Sequence, residues 1–93
     1  MVIIRVKRLE DFIELVDRHG PVFLTVFEPL WRPGLCEVTV GGISKFGGHI
    51  VSVMFYEECN GKAGEECEEI VFNKVKRYLL NHFSKVYEGV ITE

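Results

Sequence analysis

Two stretches of helical periodicity, set in a chain that otherwise alternates like a β-sheet, restrict this sequence more than any other feature. Leu9, Phe12, Ile13 and Val16 fall at i, i+3, i+4 and i+7, the spacing of a helix with one apolar stripe. Val71, Val75, Tyr78, Leu79, His82 and Phe83 share one side of a second such stretch. Each opens on acidic residues (Glu10 and Asp11; Glu65, Glu66, Glu68 and Glu69) and closes on basic ones (Arg18 and His19; Lys74, Lys76, Arg77 and Lys85). That order matches the helix dipole. The spacing predicts helices over residues 8–19 and 65–84. Gly20 and Pro21 end the first, since glycine takes the left-handed cap and proline cannot continue. Glu14 and Arg18 are spaced to pair on its surface.

Between and around these helices the period is two. Val2, Ile4 and Val6 alternate with Ile3, Arg5 and Lys7, as a strand with one buried face requires. Val22–Glu28 is β-branched and aromatic, with Thr25 as its one interruption. In the long strand His49–Glu57, Val51, Val53 and Phe55 share one face, and Ile50, Ser52, Met54 and Tyr56 the other. Val86–Thr92 closes the chain as a further strand. Leu35–Val40 reads as a short strand, followed by a glycine-bracketed turn, Gly41-Gly42 to Gly47-Gly48.

The expected fold is therefore α+β, one domain over residues 1–93. It is a two-layer sandwich with both helices on one face of a mainly antiparallel sheet, in the ferredoxin-like order β-α-β-(β)-β-α-β. Residues 28–48 form an elaborated Gly/Pro-rich central connection. Right-handed crossovers would place the strands around Ile4 and Val53 in the centre.

Composition narrows the function classes. A chain of 93 residues with 47% hydrophobic residues and a net charge of −3 folds rather than staying disordered. No apolar run reaches the ~18 residues of a membrane span. Met1–Arg8 lacks the features of a signal peptide, so a cytoplasmic protein is expected. Glutamine is absent and asparagine occurs only at 60, 73 and 81, a depletion of thermolabile amides typical of heat-adapted proteins. The acidic balance argues against a broad nucleic-acid footprint.

The candidate chemical groups each have a plain structural counterpart. Cys59 and Cys67 lie eight positions apart. They read as a disulfide closing a short loop, against the alternatives of simple thiols or a redox pair whose thiolate the surrounding glutamates oppose. Leu9–Cys36 resembles the opening of thioredoxins: a helix, a hydrophobic strand, then Trp31 and Cys36 near Pro33. The likeness covers about a third of the chain. It ends there, for no C-x-x-C follows and dithiol exchange needs a resolving thiol. The run Gly41–Gly48 is glycine-rich around Lys45 but lacks the following helix of a phosphate loop, so it reads as a hairpin tip. His19, His49 and His82 have no metal-ligand spacing, and Ser44, Ser52 and Ser84 have no nucleophile-elbow setting. Neither a catalytic site, a metal nor a cofactor is expected. The glutamates at 57–58 and 65–69 read as solvated, dipole-complementing charge.

The sheet face turned from the helices remains. It would carry Ile3, Arg5 and Lys7, then Phe23, Thr25 and Phe27, then Ile50, Ser52, Met54 and Tyr56. Its aromatics and basic groups are similar in kind to the RNA-recognition motif. However, Gly47, His49 and Ser52 stand where that motif's Lys45–Ser52 register needs aromatics. The leading expectation is a protein-interaction module, homodimeric through Ile3, Phe23, Phe27, Ile50, Met54 and Tyr56 or through an edge strand. The alternative is a nucleic-acid-binding module contacting phosphate and bases through Arg5, Lys7, Trp31, Arg32 and Lys45, with Tyr56 as a further stacking group.

Overall fold

A computed structural model describes residues 2–59 and 61–90. The elements in chain order are β1 (Val2–Val6), α1 (Leu9–Leu15), β2 (Pro21–Phe27), β3 (Leu35–Ile43), β4 (His49–Glu58), α2 (Glu65–Leu80) and β5 (Lys85–Glu88). The five strands form one mixed sheet in the order β1-β4-β3-β2-β5. β2, β3 and β4 are an antiparallel meander, while β1 pairs parallel to β4 and β5 parallel to β2.

The α+β class and the one-sided helix layer agree with the sequence reading, but the ferredoxin-like order does not. The short strand expected over 35–40, within the connection 28–48, is instead a nine-residue strand, Leu35–Ile43, at the sheet's centre. Its alternation is strict: Cys36, Val38, Val40 and Gly42 are buried, and the residues between them are only partly covered. One additional meander strand changes the parity of the fold. With a two-strand hairpin, the second crossover would run opposite to the first. With three, β4 returns parallel to β2, so both crossovers run the same way. Crossovers of one hand on one face then displace the chain in the same direction twice. β1 consequently lies at one edge and β5 at the other; the strand around Ile4 is not central. The five-residue and four-residue edge strands are short, as edges open to foreign pairing usually are.

The core lies between sheet and helices. Phe12 and Val16 from the first helical segment, Val71, Val75 and Leu79 from α2, and Phe83 beyond it pack on Val22, Leu24, Val38, Val40, Val51 and Val53. Phe12 meets Phe83 edge to face at 5.8 Å. α1 covers the β1–β4 side, and α2 the β2, β3 and β5 side.

α1 is shorter than its periodicity predicts. It stops at Leu15, and Val16 takes extended backbone angles. There the Asp17 N–H donates to the Ile43 carbonyl at 2.9 Å, and the Lys45 N–H to the Leu15 carbonyl at 2.8 Å. Tertiary backbone bonds to the β3–β4 turn thus replace the next helical ones. Arg18 falls outside the helix, so the expected surface pair with Glu14 is not built on it. α2 ends at Leu80 rather than 84, and Tyr78 is exposed, its ring tilted against that of His82 with 5.4 Å between ring centres. β5 covers the first part of the strand expected over 86–92; residues 91–92 lie outside the described residues.

Candidate interaction face and cysteine cluster

Because α1 and α2 share one side, the other side of the sheet faces solvent. Strand alternation places on it the residues that the period of two selects. One row crosses all five strands: Arg5 beside Ser52, Ser52 beside Gly41, Gly41 beside Phe23, and Phe23 beside Tyr87. Phe23 and Tyr87 pack as a tilted pair with ring centres 5.7 Å apart. The small side chains in mid-row leave a hollow of about 150 Å³, walled by Ile3, Arg5 and Phe23 and closed at one side by Gly89 and Val90. The Thr25 hydroxyl donates to the Gly89 carbonyl at 2.8 Å and anchors that side. A second hollow runs from Arg5 and Lys7 to Met54 over Thr39 and Ser52.

Of the expected interface residues, Ile3, Phe27, Met54 and Tyr56 are exposed by 41–53%. Phe23 is half-buried beneath its neighbour Tyr87. Ile50 is only 6% exposed, so it forms floor rather than contact surface. Tyr87 joins this face at 48% exposure; the terminal strand's register, which the sequence alone left open, puts it there.

The residues expected to contact nucleic acid are dispersed. Arg5 and Lys7 lie on the open face. Trp31 and Arg32 belong to the β2–β3 connection at one end of the sheet. Lys45 belongs to the β3–β4 turn at the opposite end. Its ammonium lies 5.4 Å from the Phe46 ring centre, and it borders a hollow with Val16 and Asp17 on the helix side. The turn itself spans only Ser44–Gly48, since Gly41 and Gly42 belong to β3.

At the end of the sheet bearing the β2–β3 connection, the buried side holds all three cysteines. Cys59 and Cys67 form a disulfide, as their spacing predicts, with Cα atoms 5.3 Å apart. Cys36 from β3 is a free, fully buried thiol whose Sγ lies 3.3 Å from Cys67 Sγ. The sequence separates these two by 31 positions, and only the β3 register brings them together. The Glu28 carboxylate closes the cluster, within 4.8 Å of both bridged sulfurs. Its oxygens accept the Gly34 N–H at 2.7 Å and the Gly64 N–H at 2.8 Å. This carboxylate, which sequence reasoning passed over, joins the loops on either side of the disulfide.

Burial raises the Cys36 thiol's pKa above its ordinary value, and the nearby charges of Glu28 and Glu68 add to the effect. The folded protein therefore holds this proton more tightly than the unfolded chain. Stability is unaffected well below the ordinary value of 9.0. Above it, stability falls as pH rises, by up to ~1.4 kcal/mol per pH unit until the folded thiol also ionises. Urea titrations of wild type and Cys36→Ser across this alkaline window should show that slope in the wild type and its loss in the variant.

No family model matches the chain, and no curated protein or solved structure is significantly similar to it. Among the described residues, no helix is long and apolar enough to cross a membrane.

Proposed function

We propose that this chain is a non-catalytic interaction module that associates through its open sheet face, with a second copy of itself as the occupant. The observation that carries this reading is the grouping of Ile3, Phe27, Met54, Tyr56 and Tyr87 on one uncovered face while both helices cover the other. Apolar surface gathered in this way is characteristically closed by a partner. Charge favours a second copy. Alternation puts Arg5, Lys7 and Lys85 on this face with Glu37 and Glu58, a near balance in a chain of net charge −3. A face of one strong sign would repel its own copy; a balanced one suits an isologous two-fold contact. The dispersal of Trp31, Arg32 and Lys45 removes the continuous basic footprint that a nucleic-acid module would use.

The disulfide also bears on the setting. Cytosolic proteins of ordinary organisms keep such thiols reduced, and intracellular proteins of heat-adapted organisms are the exception. The disulfide therefore weighs against an ordinary cytoplasm, and the reading of a cytoplasmic protein from a hot habitat rests on the missing glutamine.

The test is mass in solution by light scattering. Wild type is expected at twice the chain mass. Met54→Glu and Ile3→Glu should each weaken association about 10–100-fold, equivalent to ~1.4–2.7 kcal/mol. Leu80→Glu, exposed on the helix layer, should leave the dimer intact. A wild type that stays monomeric at high micromolar concentration, or equal dissociation by Leu80→Glu, would overturn the reading.

A further inference from the structure

We propose that Cys36, Cys59 and Cys67 form an internal thiol–disulfide exchange site, in which the Cys59–Cys67 bond interconverts with a Cys36–Cys67 bond. The inference is independent of the dimer reading. Its basis is contact: a free thiol buried against a disulfide, with Cys36 Sγ 3.3 Å from Cys67 Sγ. Exchange proceeds by attack of a thiolate on a disulfide sulfur, and here attacker and target already touch.

The step balances without an outside reagent. Cys36 gives up its proton, and its sulfur lone pair forms the bond to Cys67 Sγ. The Cys67–Cys59 bond breaks, and its electron pair leaves on Cys59 Sγ. That sulfur takes up the proton that Cys36 gave up, so the proton count is unchanged. One disulfide and one thiol stand on each side of the equation, so nothing is oxidised or reduced overall. The leaving thiol has acceptors in place, because Cys59 Sγ lies 3.1 Å from the carbonyl oxygens of Gly34 and Lys62.

The same carbonyls argue against reading the cluster as a metal centre. They favour a protonated sulfur at Cys59 over the thiolate a metal requires. Both oxygens of Glu28 are also engaged by backbone amides. Exchange would move the covalent tie of α2 from the β4–α2 loop to the central strand β3. The loop bearing Cys59 would then be released while the helix stays fastened to the sheet.

Tryptic mapping tests this directly, because Lys45 and Lys62 put the three cysteines on three different peptides. Oxidised wild type is equilibrated at neutral pH and at about pH 9, close to the ordinary thiol value. It is then quenched in acid, alkylated while still acidic, and digested. Two linked pairs are expected, Cys59 with Cys67 and Cys36 with Cys67. The second should make up on the order of 1–10% of molecules and be reached faster at the higher pH. In a glutathione redox buffer, Cys59→Ser should form the Cys36–Cys67 bond and leave no titratable thiol, while Cys36→Ser keeps the original pair. Finding only the Cys59–Cys67 pair in wild type at both pH values would overturn the proposal, and so would two persistent thiols in a folded Cys59→Ser. If that variant does not fold, the wild-type map decides alone.

Discussion

Gly42→Ala is expected to lower the free energy of unfolding by about 2–3 kcal/mol, the upper part of the range for overpacking a filled core. A Cβ at this position would stand 2.6 Å from Val16 Cγ1 and 3.3 Å from Phe12 Cζ. Neither neighbour is free to retreat. Phe12 is fully buried against Phe83. Val16 is held by its bridge to Ser44 and by the hydrogen bond from Asp17 to Ile43. The glycine therefore serves close approach: it lets the first helix and the chain leaving it lie directly on the central strand. Val16→Ala alone should cost about 1–3 kcal/mol through the cavity it leaves. In the double variant the new methyl group enters that space, so its loss should fall short of the sum of the single losses by ~1 kcal/mol or more. Urea denaturation of the four proteins measures this. Additive losses would show that the sheet accommodates the methyl group by another route.

Glu28→Ala should be at least as severe, at about 2–4 kcal/mol, from one partly buried charge-assisted hydrogen bond at ~1.5–3 kcal/mol and an exposed one worth less. Its carboxylate receives the amides of Gly34 and Gly64, and its own amide donates to Glu68 Oε2 at 3.0 Å. One residue at the end of β2 thereby fixes the β2–β3 connection, the β4–α2 loop and the first turn of α2. That turn needs an outside partner, because its N-cap, Gly64, offers no side chain. Removing the carboxylate leaves the Gly34 amide unanswered at a partly buried site and returns the exposed Gly64 amide to water. In a domain of this size the loss corresponds to a fall in melting temperature of about 10–20 °C. Glu28→Gln keeps one acceptor oxygen and should recover roughly half of it. Thermal unfolding followed by circular dichroism separates the two variants. Equal melting temperatures for wild type and Glu28→Ala would mean that the loops are held by something else.

Local periodicity and long-range register account for what could and could not be read from the chain. Period-two alternation is a local property, so the two faces of β1, β2 and β4 were legible, including which residues lie opposite the helices. The disulfide was legible because its partners are near neighbours in sequence. The central strand was obscured because Gly41-Gly42 is a strong turn signal. Only contact with Phe12 and Val16 explains why a glycine sits within a strand there. The end of α1 was obscured for a related reason: helical spacing continues to Val16, but the backbone of Asp17 finds a better partner in Ile43. The meeting of Cys36 with Cys67 and the bridging role of Glu28 both depend on β3 occupying the middle of the sheet. A short strand over 35–40 set inside a connection does not imply that placement, so neither follows from the sequence.

The measurement that bears most directly on the open face as the site of self-association is a dilution series followed through methyl resonances. Ile3, Ile50 and Met54 carry methyl groups on or just beneath that face; Ile70 and Leu80 carry them on exposed parts of α2. Dilution across the dissociation range should shift the first group together along one binding curve and leave the second unchanged. Resonances of Ile3 and Met54 that stay fixed at every concentration, or a curve reported by Ile70 and Leu80 instead, would contradict the account.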